Sequence, residues 1–278
     1  MAVIRKSVVF ALCLAACGGD PLDEPDDIAG WAVSASALGA FAEFYEPLAF
    51  ADGNLPLADT DCPATDDDGT TVTMVGDGCE DSTGATWLGS ATVVRGDDGS
   101  RTVELADYDK AEDLGFSATV TGTMEVVQLA ENEHSFEIDA HQEGGIDKDV
   151  TYSGTVEGGY TGRTVWNGSG TIARDGLVID SGTIEATTVD QVRDNDVCGG
   201  EGISGTTTMV SEAHTVVIEY DGETDCDGDE SARWSRDGED QGLVAGVTCS
   251  LAGGGPGTWV SVLAIALAVG VASRRRRK

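Results

Sequence analysis

The 278 residues carry 50 acids against 16 lysines and arginines, a net charge of −34, with apolar residues at 40%. So negative a chain repels nucleic acid and anionic lipid headgroups, which excludes a nucleic-acid role, while its apolar content is that of a chain with a packed core. The length accommodates one large β domain or two small ones.

Arg5-Lys6 followed by an apolar stretch over residues 8–14 has the layout of a secretory signal, residues 1–16. It runs into Leu14-Ala15-Ala16-Cys17-Gly18. This stretch resembles the lipobox of bacterial lipoproteins, a leucine and two small residues ahead of the cysteine that becomes the lipidated N-terminus. The resemblance implies export, processing by the lipoprotein machinery and cleavage before Cys17. It also implies a thioether-linked diacylglycerol on that sulfur and an acyl chain such as palmitate on the new amine. Two or three chains hold a protein at a bilayer where one is marginal.

Residues 17–27 read as a lipidated acidic tether, with prolines at Pro21 and Pro25 and acids from Asp20 to Asp27 that lift the body off the membrane. Asp26 or Asp27 then caps one amphipathic helix, residues 28–46, with Ile28, Trp31, Leu38, Phe41 and Tyr45 on one face and Glu46-Pro47 at its end. Its lack of Lys and Arg argues against a membrane-surface helix. It is expected to pack on a sheet or close one end of it.

Residues 59–249 read as a mainly β domain, a single antiparallel meander of about ten strands, either a barrel or a folded-over curved sheet. Residues 116–126 alternate apolar with Ser, Thr or Glu, and residues 134–141 do likewise from His134 to His141. Turns are expected at Asp97-Asp98-Gly99, Glu157-Gly158-Gly159 and Asp175-Gly176. Five copies of Ser/Thr-Gly-Thr, at Gly122, Gly154, Gly170, Gly182 and Gly205, put hydroxyls on one face and glycine on the other, leaving room for the sheet to bend or a helix to approach.

Seven cysteines sort by position. Cys13 leaves with the signal and Cys17 is the lipid site. Cys62, Cys79, Cys198 and Cys226 lie in an oxidising compartment and allow three pairings, of which Cys62–Cys79 and Cys198–Cys226 close local loops. A zinc site lacks support, with no Cys-x-x-Cys and no nearby histidine. Cys249 is the odd one.

After Cys249-Ser250 come a glycine-rich hinge, residues 250–257, and a tail, residues 258–278. The tail's uncharged run, residues 259–272, spans about 21 Å as a helix against a hydrocarbon core of about 30 Å, and Arg274-Arg275-Arg276-Arg277-Lys278 closes it with a cytoplasmic stop. It is a marginal transmembrane helix. The layout resembles the MYXO-CTERM sorting signal of myxobacterial surface proteins, with the GlyGly-CTERM type close behind. The resemblance implies a sorting protease that cuts near Cys249 and a second lipid site there. A further pattern, Cys62-Pro63, Gly78-Cys79 and Thr86-Trp87-Leu88-Gly89, resembles uncharacterised secreted β-rich proteins of myxobacteria and implies no activity.

Between the two end signals nine cations face 50 acids, a body near −41 (nine minus 50), which favours divalent or basic partners. Asp66 and Asp68, and Asp225, Asp227 and Asp229, have acids at alternate positions beside a turn glycine, as in calcium loops; none completes an EF-hand, and the expectation is weak calcium binding at most. Glu137, Asp139 and His141 share a strand face, read as solvated. No motif for a hydrolase, a zincin or a phosphate-binding loop is present, so no catalytic residue is assigned. The functional expectation is a cell-envelope lipoprotein at the outer membrane or cell surface, non-catalytic, structural or displayed. The alternative is a binding module for a hydrophobic or cationic ligand, calcium-stabilised; a hydrolytic enzyme ranks below both. A hydrophobic-ligand carrier requires an enclosed apolar cavity of about 300 Å³ or more, and an enzyme requires perturbed acids clustered in a cleft.

Overall fold

The computed structural model describes residues 20–54, 57, 61–111, 118–144, 147–158, 162–175, 181–194, 196–198, 202–222 and 231–245. A short 3-10 turn, Pro25–Asp27, leads into α1 (Ile28–Ala35) and α2 (Ala37–Ala51). The strands are β1 (Ala64–Asp67), β2 (Thr71–Val75), β3 (Cys79–Glu80), β4 (Thr86–Arg95), β5 (Arg101–Ala111), β6 (Thr119–Ala130), β7 (Glu133–Glu143), β8 (Asp147–Glu157), β9 (Arg163–Asp175), β10 (Gly182–Asp194), β11 (Ser204–Val210), β12 (Thr215–Glu219), β13 (Ser231–Arg236) and β14 (Glu239–Ala245). All pair antiparallel in one sheet that follows chain order, with β3 alone off the path beside β4.

The fold is mainly β and a meander, as the alternation requires, but it has 14 strands and not about ten, and the sheet stays open, with β1 and β14 at its edges among the described residues. The shortfall came from short elements without a readable period, such as β3 with two residues and β1 with four. The sheet coils instead of closing. Register shifts interrupt β4, β5 and β10, where Gly89, Asp107 and Asp190 take positive φ, and further shifts lie in β6 and between β13 and β14. Such bulges bend a strand and displace its side-chain alternation, so that Tyr108 and Lys110, and Gln191 and Arg193, turn to the concave face.

That concave face wraps the helices. α2 packs on β4, β5, β8, β9 and β10, and α1 on β9, β10, β11 and β14. A single helix over residues 28–46 is therefore corrected to two. Ser36 leaves helical geometry (ψ 147°) and caps α2 by accepting from Gly39 N–H at 2.9 Å while donating to Val33 O at 3.1 Å. Pro47 does not end α2, which runs to Ala51. A proline inside a helix costs about 3 kcal/mol, and complete burial of Leu48 and Ala49 just past it offsets that cost. Nor is α2 amphipathic in position: apolar residues from Leu38 to Ala51 are buried on several faces, because the sheet surrounds the helix.

Phe41 lies at the centre, edge-on to Phe136 at 5.3 Å and to Trp166 at 5.1 Å between ring centroids, with Tyr152 stacked on Phe136 at 6.4 Å. Glycines make room for these rings. A Cβ on Gly154 would lie 2.7 Å from Phe136 Cζ, and one on Gly170 would lie 2.6 Å from the Tyr152 ring. Of the five Ser/Thr-Gly-Thr copies these two therefore face cross-strand aromatic rings, each also tight against a neighbouring backbone carbonyl, whereas Gly122 faces Ala140, Gly182 faces Pro21 and Gly205 faces the β10 backbone at Asp190. A buried polar chain threads the same space. Thr188 Oγ1 accepts from Ala37 N–H at 3.0 Å, one of the unsatisfied donors at the start of α2, and from Tyr152 Oη at 3.1 Å; it bonds Thr207 Oγ1, which bonds Tyr220 Oη.

Residues 20–27 are not a free tether. Leu22 is wholly buried, Pro21 packs against Gly182, and the segment lies on the β10, β11 and β13 ends of the sheet. The lipobox, the glycine hinge and the C-terminal tail lie outside the described residues, and no helix among those described is long and apolar enough to cross a membrane.

Candidate functional site

The expected site residues fall on different parts of the molecule. Cys62 and Cys79 are joined, Cα to Cα 5.9 Å, pinning the stretch ahead of β1 to β3. Cys198 is disulfide-bonded; its expected partner Cys226 lies outside the described residues, as do Cys17, Cys249, Asp225, Asp227 and Asp229. Asp66 sits exposed in β1. Asp68 turns the chain between β1 and β2, accepting the N–H groups of Thr70 and Thr71, and these bonds hold its carboxyl below the ordinary range. Among the described residues no group of three or more His, Cys, Asp or Glu is arranged to hold a metal ion.

Asp81, Tyr108 and Tyr152 also titrate abnormally, each for a reason in its packing. Burial pushes Asp81 up, but Thr83, the Trp87 indole at 2.9 Å and the backbone N–H groups of Thr83 and Ala85 outweigh it and hold it low. Tyr108 is pushed well above its usual value by burial and by the adjacent Glu46. Burial also takes Tyr152 up to about 12.

The helices occupy the concavity that a carrier would offer to a ligand. Between α1–α2 and β6–β8 the residual space is about 10 Å³, lined by Phe44, Val120, Ile138 and Val150 among others. A larger groove of about 340 Å³ lies open on the outside at the ends of β8, β9 and β10, where Asp147, Asp149 and Asp175 line it with Ser181 and Thr183. Its lining is mixed, with Ala173, Gly182 and Arg174 beside the three acids, and it is open to solvent instead of enclosed.

Charge separates across the sheet. Of the nine cations between the end signals, seven turn to the helix side or the rim. Lys110 bonds Glu46 at 2.9 Å and lies over the Trp87 ring, Lys148 pairs with Glu43 at 3.5 Å, and Arg101 bonds Asp52 at 2.8 Å. Arg95 donates to Ala51 O and pairs with Asp67. Arg193 is buried near Tyr45. Arg236 donates to Leu22 O and Asp23 O at 3.3 and 2.7 Å. Arg174 donates to Gly30 O and to Ser34 Oγ and lies 4.2 Å from the Trp31 ring centroid; burial pulls it down to about 10, opposed by Asp27. A basic residue at an inner position is thus a staple to a helix or to the N-terminal segment.

The outer face keeps the acids. Glu125 faces Glu137, Glu133 faces Glu157 and Asp147 faces Asp175 in direct cross-strand register. Like charges so placed repel, and among the described residues of β6–β10 only Arg163, at the start of β9, adds a lysine or arginine to that face. Next to them runs a row in register, Thr123, Asp139, Thr151, Thr171 and Glu185, across β6 to β10. His141, expected on this solvated face beside Asp139, bonds Asp149 at 2.7 Å, which raises its titration point. His134, half-buried on the inner face, is lowered by burial.

Sequence reading missed a second cluster, at the N-terminal segment. The Asp20 carboxylate accepts from Ser211 Oγ at 2.6 Å and from Ala213 N–H at 3.0 Å; His214 stands between Asp23 (2.8 Å) and Asp237 (2.7 Å). Burial raises Asp20, and Ser211, the N–H groups of Leu22 and Ala213, and His214 together bring it below its ordinary value. No short-range pattern marks this cluster, because Asp23 and His214 are 191 residues apart. The chain matches no known protein family, no curated protein and no solved structure.

Proposed function

We propose that this protein is a lipid-anchored cell-envelope protein at the outer membrane or cell surface, whose β domain has a structural or display role and no catalytic one. Cys17 carries the lipid after signal cleavage, and residues 258–278 act as an address tail removed by a sorting protease near Cys249. The observation that supports a scaffold over a carrier is the filled concavity, with Trp31, Phe41, Phe44 and Leu48 of the chain's own helices in place of a ligand. Labelling cells with radioactive palmitate tests the anchor. Wild type takes up label, and Cys17→Ser loses it; unchanged label in that variant moves the lipid to Cys249 or elsewhere.

One observation favours a second reading, a module for a cationic ligand. The like-charge pairs Glu125–Glu137 and Glu133–Glu157 lie on an outer face whose cations have been drawn to the inner side. A charge density of this kind attracts a basic polymer by electrostatics that salt weakens. Binding of poly-lysine to the purified protein tests it. Glu125→Gln with Glu137→Gln weakens binding more than Asp97→Asn with Asp98→Asn in the β4–β5 turn, although both pairs remove two charges. Equal losses would reduce the effect to net charge and end this reading.

A further inference from the structure

The N-terminal segment enters at one end of the sheet. Gly182, Arg174, Lys148, Gln142 and Val120 lie in register across β10 to β6 at that end, and Pro21 packs against the first of them. The β11–β12 turn (residues 211–214) and the β13–β14 turn (residues 237–238) lie at the same end, and both grip the segment. Ser211 Oγ and Ala213 N–H donate to Asp20, and His214 bridges Asp23 and Asp237. Arg236 donates to Leu22 O and Asp23 O, and Leu22 is fully buried. The groups form one clasp drawn from three strand ends and the entering chain.

The clasp begins three residues after Cys17, a distance that extended chain spans in about 10 Å. Resting on the reading that Cys17 is lipidated, we infer that the clasp is a rigid mount, which holds the end of the sheet carrying the β11–β12 and β13–β14 turns against the lipid surface and turns the β6–β7 and β8–β9 turns away from it. A flexible tether of the same length would let the body tumble. The mounted end carries Glu212, Asp237, Glu239 and Asp240, while its cations Lys148, Arg174 and Arg236 are turned to the helices and the N-terminal segment, so electrostatic attraction to an anionic bilayer does not hold it there. Orientation comes from the covalent lipid and the clasp together.

The test uses the full mature chain isolated from membranes and reconstituted in phosphatidylcholine vesicles that carry a headgroup quencher. A fluorophore placed by unnatural amino acid at Glu212, in the β11–β12 turn, is compared with one at Glu131, in the β6–β7 turn; both side chains are exposed and each replacement removes one charge. The mount predicts quenching several-fold stronger at 212 than at 131. Adding Asp20→Asn and His214→Gln shrinks that difference while the protein still floats with the vesicles. Equal quenching of the two sites in the protein with an intact clasp overturns the mount alone. A chain that fails to float overturns the anchor reading, and the mount with it.

Discussion

His214 Nε2 lies 2.8 Å from the Asp23 carboxylate, and its other ring nitrogen lies 2.7 Å from Asp237. Only the imidazolium donates from both nitrogens, so the bridge is complete when His214 is protonated. The bond to Asp237, then that to Asp23, raises the histidine; Thr215 N–H, then His214, lowers Asp237. The other charged groups facing this cluster are Asp20, Glu212 and Arg236.

The pH dependence follows from the signs. A raised histidine stabilises fully below its unfolded value of about 6.5 and stops doing so as pH climbs through the folded value. A lowered aspartate stabilises above its unfolded value of about 3.9 and stops as pH falls through the folded one. The clasp is therefore strongest between about pH 4 and 6.5. Raising pH from 5.5 to 8 lowers the Tm of the wild type more than that of His214→Gln; equal drops in the two would contradict the bridge.

Thr188 joins β10 to α2, accepting from Ala37 N–H and from Tyr152. Thr188→Val keeps the shape and strands both donors in a buried site. Each stranded group costs about 1–3 kcal/mol, so the variant loses at least about 2 kcal/mol in urea unfolding. Adding Thr207→Val costs less than the sum of the two single changes, because both side chains belong to one chain of bonds.

Phe41 touches Phe136 and Trp166 at the centre of the concavity, and Phe41→Ala should cost about 3–5 kcal/mol. Gly154→Ala should cost about 1–3 kcal/mol by overpacking against the Asn167 carbonyl and Phe136 Cζ. Phe136→Leu in the Gly154→Ala background recovers part of that loss if the ring is what the methyl meets. Denaturant midpoints of the single and double variants decide it.

Lys110 and Glu46 form a half-buried pair, at 27% and 20% side-chain exposure, that ties β5 to α2. The double-mutant cycle Lys110→Met and Glu46→Gln should give a coupling of about 1 kcal/mol, reduced by high salt. A coupling of zero would mean that the inner cations do not staple the helix. On the outer face the sign reverses: Glu137→Gln removes repulsion from Glu125, and Tm rises.

Local patterns were readable, and long-range ones were not. The alternation of β6 and β7 and the turn at Asp98-Gly99 are visible as sequence because they depend on neighbours two or three residues apart. The helical periodicity over residues 28–46 was visible too, but the break at Ser36 and the continuation through Pro47 depend on what the sheet buries. Aspartates at positive φ, Asp107 and Asp190, hid two bulges that a glycine would have advertised. The inward cations were legible in principle: Arg95, Arg101, Lys148 and Arg174 share the parity of Val93, Val103, Val150 and Ile172. Their partners on the helices were not. The clasp on Asp20 and Asp23 joins residues 191 apart, and an acidic, proline-containing stretch looks like a tether until those partners are in place.

Mass spectrometry of the mature chain taken from cell membranes addresses the central claim, that this is a lipid-anchored envelope domain. The account predicts an N-terminal peptide that begins at Cys17 and bears a diacylglyceryl group on its sulfur. A chain that keeps residues 1–16, or that begins elsewhere with Cys17 unmodified, would contradict it.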